Sequence, residues 1–384
     1  MRRKVFCFID YFHPAKNAGG IVTSVNSLMV HLAQFHEVHV FTRNHDQGSE
    51  QPFNELEMQR TQAKSPFKIH YFKGDASSRA EMLSHLRSLM TGDDLVYFNS
   101  FFSPEFTWFP LRAIFQGQWP RQRLLIAPRG ELLPAARHQK WLKKWVYLKV
   151  FKALGYHQNV LFQSGGAEEK REIQSLFGLI RVRNSNDLPP LIPKKTIDVK
   201  PPNNRPKRLL FVGRVAPIKN VSLILQALNE VPFAFRLDIC GPIEDEAYWK
   251  DCQKHLAKVR DGCEVHHHDS KTLDELADFY QQADLLVLPS KSESFGNVIF
   301  ESLAYGCPCL IGPNTPWKHL RQAKAGDHVE SLSAPALKRK LIDLMDEISA
   351  APMDWRQGAN QHAWDYYEKA FKDPELSKMF LLND

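Results

Sequence analysis

The sequence predicts an α/β protein built from two parallel-sheet domains, and three observations carry that prediction. Strand-like apolar runs alternate with helical ones over the whole length, the pattern of successive βαβ units. At 384 residues the chain exceeds what one hydrophobic core usually serves. The alternation also stops once, over 187–206, where prolines accumulate with Lys194, Lys195 and Lys200. Domains are therefore expected over 1–186 and 207–352, joined by that linker, with a C-terminal helix over about 353–384 packing back on the first. Each domain reads as Rossmann-like and doubly wound. Two such domains facing across a cleft would set the loops after the strand carboxyl ends at that cleft.

Taken in order, the first strand is Val5 to Ile9. The basic lead before it resembles a signal peptide, but Asp10 and Tyr11 cut the apolar run short and no cleavage pattern follows. Gly19-Gly20 then makes a turn before a helix. Further strands are read at Glu37 to Phe41, Lys68 to Tyr71, Leu95 to Phe98, Leu124 to Ala127 and Asn159 to Gln163, with helices in the gaps. A basic, aromatic helix is expected over 138–152, with Trp141, Trp145, Leu148 and Phe151 as its apolar stripe. The second series opens with Arg208 to Val212 and a helix from Val221 to Leu228. It continues with Phe235 to Cys240, a helix from Glu246 to Val259, and a helix opened by the capping box of Thr272 and Glu275. A buried strand ending at Pro289 and a helix from Asn297 to Tyr305, stopped by Gly306, follow.

The chemistry concentrates on two strand-loop-helix junctions of the second series. In the later one, Glu293 lies in the loop and Glu301 on the first turns of the helix, with Ser294, Phe295, Gly296 and Asn297 between them. Free amides at such a helix start attract an anion such as phosphate. Two acceptor-only carboxylates beside an anion site suit sugar and ribose hydroxyls, so the combination points to a nucleotide sugar. In the earlier junction Gly213 permits a tight turn, Arg214 offers a planar fork for phosphate oxygens, and Lys219 adds a point charge. Both suit a diphosphate.

The stretch from Glu293 to Glu301 resembles the two-glutamate signature of family-4 glycosyltransferases, which have the two-domain GT-B architecture. The resemblance implies that Glu293 contacts the donor sugar and Glu301 the ribose diol. It also implies that Gly213, Arg214 and Lys219 bind the donor diphosphate, and that Gly19 and Gly20 form the glycine-rich loop facing donor phosphates and acceptor. Thr315-Pro316-Trp317, the run from Ala127 through Arg129 to Pro134, and Asn99 to Phe102 are similar to segments of the bacterial polysaccharide members. Arg129 stands where many relatives carry a histidine, so an acceptor or donor role is assigned to Arg129 and Asn99 without choosing between them. The activity so implied is retaining transfer of a sugar from a nucleotide diphosphate sugar to a hydroxyl of a bacterial surface glycan, such as lipopolysaccharide, capsule or exopolysaccharide. A GT-B epimerase or phosphorylase, or a non-catalytic nucleotide-binding subunit of a glycan-assembly complex, remains the alternative.

Composition narrows the partners. No Asp-x-Asp occurs, and His266-His267-His268 would alternate faces on a strand, so no metal and no cofactor are expected. Six cysteines without framework spacing fit a reducing compartment, and no apolar run approaches the about 20 residues of a membrane span. A cytoplasmic chain is expected. The net charge of +7 is mild and clusters on the 138–152 helix, which suits peripheral contact with the inner, anionic face of the cytoplasmic membrane better than nucleic acid.

Overall fold

The computed structural model describes residues 3–117, 123–138, 140–185, 187–194, 197 and 205–380. Much of the expected linker over 187–206, and residues 381–384 of the expected terminal helix, lie outside the described residues. The chain forms two compact units, Met1–Pro189 with Ala370–Asp384, and Pro190–Lys369.

The first unit holds a parallel sheet of β1 (Lys4–Phe8), β2 (Glu37–Arg43), β3 (Lys68–Phe72), β4 (Leu95–Phe98), β5 (Arg123–Ile126), β6 (Leu161–Ser164) and β7 (Val182–Asn184), in the order β3-β2-β1-β4-β5-β6-β7. Its strands are apolar on both sides because helices cover both faces. Phe6, Phe8, Phe41, Val96, Phe98 and Ile126 enter one core, and the intervening Val5, Cys7, Val40, Leu95, Tyr97 and Leu125 enter the other. That is the two-residue alternation of a strand written across four neighbours.

The second unit holds β8 (Lys207–Val212), β9 (Phe235–Cys240), β10 (Glu264–His268), β11 (Leu285–Leu288), β12 (Cys309–Ile311) and β13 (Gly326–His328), ordered β10-β9-β8-β11-β12-β13 and parallel throughout. Both sheets thus reverse direction of winding once, between β1 and β4 and between β8 and β11. Loops leaving those strands diverge to opposite faces and open a crevice for ligand. The α/β class and the two Rossmann-like domains are as expected.

Three expectations change. The helix over 138–152 is two pieces, Pro134–His138 and Trp141–Ala153, because Lys140 adopts a left-handed backbone at φ 51°. Its apolar stripe divides as well: Phe151 is buried and Leu148 half-buried, whereas Trp141 and Trp145 are 63% and 51% exposed. The C-terminal segment does not return to the first unit from residue 353. Helix Pro352–Phe371 belongs to the second unit through Lys369, since Trp355, Ala359, Ala363 and Trp364 fill that unit's core and Arg356 donates to the Ala283 carbonyl at 3.0 Å. Among the described residues, Ala370 and Phe371 at the end of that helix pack against the first unit's core, and the short helix Pro374–Phe380 places Leu376, Met379 and Phe380 in it.

Candidate functional site

In the second unit the two motif-bearing junctions leave neighbouring strands at the switch point, with Leu209 and Leu210 of β8 beside Leu285 and Leu286 of β11. Backbone bonds lace the loops together. Lys291 N–H donates to Ile218 O at 2.9 Å, and Asn220, in the left-handed conformation before helix Val221–Leu228, donates through Nδ2 to Pro289 O at 2.9 Å. Gly213, Arg214, Lys219, Glu293, Ser294, Phe295, Gly296, Asn297 and Glu301 therefore belong to one constellation.

Its charges are matched within the protein. Lys219 Nζ lies 2.6 Å from Glu293 Oε1, and both side chains are largely buried at 18% and 11% exposure. Arg214 Nη1 lies 2.5 Å from Glu244 Oε2, on the surface. Glu244 had no sequence signal. It is brought there by the loop after β9, whose Pro242 O accepts from Val215 N–H at 2.8 Å while Glu244 N–H donates to Val215 O at 3.2 Å.

Gly296 caps helix Asn297–Ala304 from a left-handed conformation, φ 80°, that an L side chain rarely adopts. The loop before it is braced from behind. Trp317 Nε1 donates to Phe295 O at 2.8 Å, Glu293 N–H donates to Asn314 O at 3.0 Å, and the Phe295 ring sits against Trp317 and Tyr366. Glu301 lies one turn into the helix and is buried, and the Tyr280 hydroxyl donates to its Oε2 at 2.8 Å. Burial pushes its carboxyl up to about 7, although the phenol bond pulls the other way.

In the first unit Gly19 caps helix Gly20–Ala33 at φ 73°, in the loop after β1. Asn99 follows β4 and donates its N–H to Phe8 O at 2.8 Å. Arg129, itself left-handed at φ 54°, is spent inside the unit: Nη2 donates to Tyr97 Oη at 2.8 Å and to Asn99 Oδ1 at 2.9 Å, and Nη1 pairs with Asp187. Glu131 holds the same loop cluster, accepting from the N–H groups of Phe101 and Phe102 at 2.5 and 3.1 Å. Asp187 and Glu131 were not singled out as site residues because nothing in their spacing marks them as partners. Within the first unit the structure thus joins Asn99 to Arg129.

The three consecutive histidines of β10 take separate partners, with the rings of His266 and His268 stacked at 6.5 Å. His266 faces Glu264, His267 faces Gly241 O and His268 faces Asp238, at 3.0, 2.9 and 2.8 Å.

Residues 194–362, which lie within the second unit, match the family model described as Glycosyl transferases group 1. A D-inositol 3-phosphate glycosyltransferase of Xylanimonas cellulosilytica is 35% identical over 105 residues, 27% of this chain and 25% of that protein. An uncharacterized glycosyltransferase of Methanocaldococcus jannaschii is 32% identical over 101 residues, 26% of this chain and 27% of its own length. The chain thus spans about a quarter of these curated relatives. Among solved structures, Anabaena Alr3699/HepE in complex with UDP-glucose superposes with a TM-score of 0.67 at 12% identity, covering 98% of this chain and 97% of that one. At such identity the likeness shows the fold, which is GT-B.

Proposed function

We propose that this protein is a retaining, metal-independent glycosyltransferase that moves a sugar from a nucleoside diphosphate sugar to a hydroxyl of a bacterial surface glycan. The observation that carries this reading is the convergence of Arg214, Lys219, the helix start at Gly296 and the two carboxylates Glu293 and Glu301 at the β8–β11 switch point. Support for nucleotide-sugar chemistry comes from the matched family domain and from the UDP-glucose complex of a protein with the same fold. A structural neighbour described as WaaG, a glycosyltransferase involved in lipopolysaccharide biosynthesis, favours a surface glycan as acceptor; it has a TM-score of 0.59 at 16% identity.

In this mechanism the donor diphosphate takes over Arg214 from Glu244 and Lys219 from Glu293. The two cations and the amides at Gly296 then stabilise the negative charge that grows as the bond from the anomeric carbon to the phosphate oxygen breaks. Glu293, released from Lys219, orients the sugar and favours its oxocarbenium-like state. The acceptor oxygen bonds to the anomeric carbon on the face the diphosphate leaves, and its proton passes to the departing phosphate oxygen. Configuration is retained and no protein base is consumed.

The test is a thermal-shift panel of UDP-, GDP-, CMP- and ADP-sugars followed by transfer assays with the anomer of the product read by NMR. A ligand at a hundred times its Kd adds about 2.7 kcal/mol. An inverted anomer refutes retention; donor turnover without acceptor, or with inorganic phosphate in its place, shows an epimerase or phosphorylase; binding without transfer shows a non-catalytic subunit. Because Arg214 and Lys219 take the place a cation would hold on the diphosphate, transfer persists in excess EDTA. Loss of rate that manganese or magnesium restores contradicts this.

The acceptor side of the reading places the protein at the inner face of an anionic cytoplasmic membrane. Helix Trp141–Ala153 turns Trp141, Leu142, Trp145, Val146 and Val150 to solvent, with Lys143 and Lys149 among them. No acidic residue occurs between Glu131 and Glu168. Apolar side chains ringed by cations, on a helix that is not a membrane span, match the interface of an anionic bilayer. Lys144 is occupied with Ala136 O and the Phe102 ring, so the informative change is Lys143→Glu with Lys149→Glu. Co-sedimentation with phosphatidylglycerol vesicles is expected to fall about tenfold or more, at about 1 kcal/mol per lysine plus the repulsion of two new carboxylates. Nucleotide binding is expected to stay, and unchanged sedimentation refutes the contact.

A further inference from the structure

The mechanism above leaves unused a buried phenol in the second unit. Tyr280, on helix Leu273–Gln282, is fully buried, stacks on Tyr305 with ring centroids 5.8 Å apart and planes 8° apart, and spends its hydroxyl on Glu301 Oε2. Stacking fixes the ring, so the direction of that hydrogen bond is fixed too. Among the described residues no donor reaches Oε1. Among the described residues the titratable groups around the pair are Tyr280 itself, Tyr305 at the end of the same helix as Glu301, Asp274 beside Tyr305, and the thiols of Cys240 and Cys307; no cation is among them.

We propose that Tyr280 is a positioning residue for the nucleotide: it clamps Oε2 of Glu301 and leaves Oε1, with the second lone pair of Oε2, to accept the two hydroxyls of a nucleoside diphosphate's ribose. The proposal rests on the ribose role given to Glu301 above. Chemically it follows from what a carboxyl can do in each state. Ionised, Glu301 accepts from Tyr280 and from both ribose hydroxyls; protonated, it carries a proton of its own and loses acceptor capacity. With burial holding the carboxyl near 7, the phenol is what keeps an acceptor available at neutral pH.

The sign follows directly. Below about 7 the carboxyl is increasingly protonated, so nucleotide affinity falls as pH falls. The experiment is calorimetry with UDP, GDP and ADP from about pH 5.5 to about pH 9 on the parent protein, Tyr280→Phe and Glu301→Gln, with the 2′-deoxy form of whichever diphosphate binds. The Glu301→Gln profile contains only the ligand's own phosphate ionisation and serves as the baseline. Above that baseline the parent gains affinity through about pH 7. Tyr280→Phe moves the step up by about one to two pH units, weakening binding at neutral pH by about tenfold or more, and recovers most of the loss by about pH 9. The ribo and deoxy forms bind Glu301→Gln alike.

A parental profile in Tyr280→Phe overturns the proposal while leaving the ribose role of Glu301 intact. A uniform loss at every pH, with a lowered Tm, overturns it in favour of packing alone. Parental affinity in Glu301→Gln, or no binding of any of the three diphosphates, overturns the ribose role and the proposal together.

Discussion

Glu293→Ala lowers sugar transfer by roughly a hundredfold or more while nucleoside diphosphate affinity stays level or improves. The loss follows from removing the carboxylate proposed to orient the sugar, an interaction with a charged group worth about 1.5 to 3 kcal/mol before the added effect of misplacement. The retained affinity follows from the pairing of Glu293 with Lys219 at 2.6 Å. Once the carboxylate is gone, Lys219 stands unpartnered and largely buried, and a diphosphate no longer displaces an internal competitor. Initial rates on the thermal-shift donor, with calorimetry on the matching diphosphate, separate the two quantities. Transfer at the parental rate refutes the role of Glu293. An affinity loss equal to that of Glu301→Gln refutes the division of labour between the carboxylates.

Gly241→Ala dismantles the side of the same site proposed to hold phosphate. Gly241 ends the β9 turn at φ 148°, and a Cβ there would lie 2.1 Å from Gly213 O. That contact sets a Cβ against a backbone carbonyl, so no side-chain rotation relieves it. The loops after β8 and β9 must part, breaking the bonds that join Val215 to Pro242 and Glu244. A destabilisation of about 3 kcal/mol or more is expected, since close overpacking and a disfavoured backbone act together. In urea the unfolding midpoint drops, and diphosphate binding weakens even in the folded fraction as Arg214 and Lys219 move apart. Gly262→Ala is the control at another positive φ, 81°, where an added Cβ meets nothing within 4 Å. Equal stability in the two variants removes steric clash as the cause.

Periodicity made most of the fold legible. Leu95–Phe98, Phe235–Cys240 and helix Val221–Leu228 appear with the bounds read from sequence, because each is a strong apolar run ended by a turn or a cap. The same logic passes over β7, β12 and β13, each three residues long and too short to show a period. The helix break at Lys140 also left no mark, since lysine is an ordinary helix former and its left-handed backbone is imposed by the surrounding structure. The residues proposed to bind phosphate, and the two carboxylates, stand out in the sequence because their loops keep a recognisable order of residue types. Their partners do not. Glu244 and Tyr280 act from another loop and another helix, and a single carboxylate or phenol carries no signal until topology sets it beside Arg214 or Glu301; the segment of Trp317 carries a resemblance, but not the bond to Phe295.

The helix Pro374–Phe380 has a bearing on synthesis. Leu376, Met379 and Phe380 lie in the first unit's core, with Phe380 set edge-on against Tyr97 at 5.1 Å, although the rest of that unit ends at Pro189. A ribosome therefore delivers every strand of the first sheet long before the side chains that complete one of its two cores. The second unit, continuous from Pro190 to Lys369, has all its own parts first. During translation the early sheet waits with an open apolar socket beneath Tyr97, and the chain closes that socket with nearly its last described residues. The first unit's core is in this sense complete only once residue 380 has left the exit tunnel, so its apolar surface stays open longer during synthesis than that of a unit continuous in sequence.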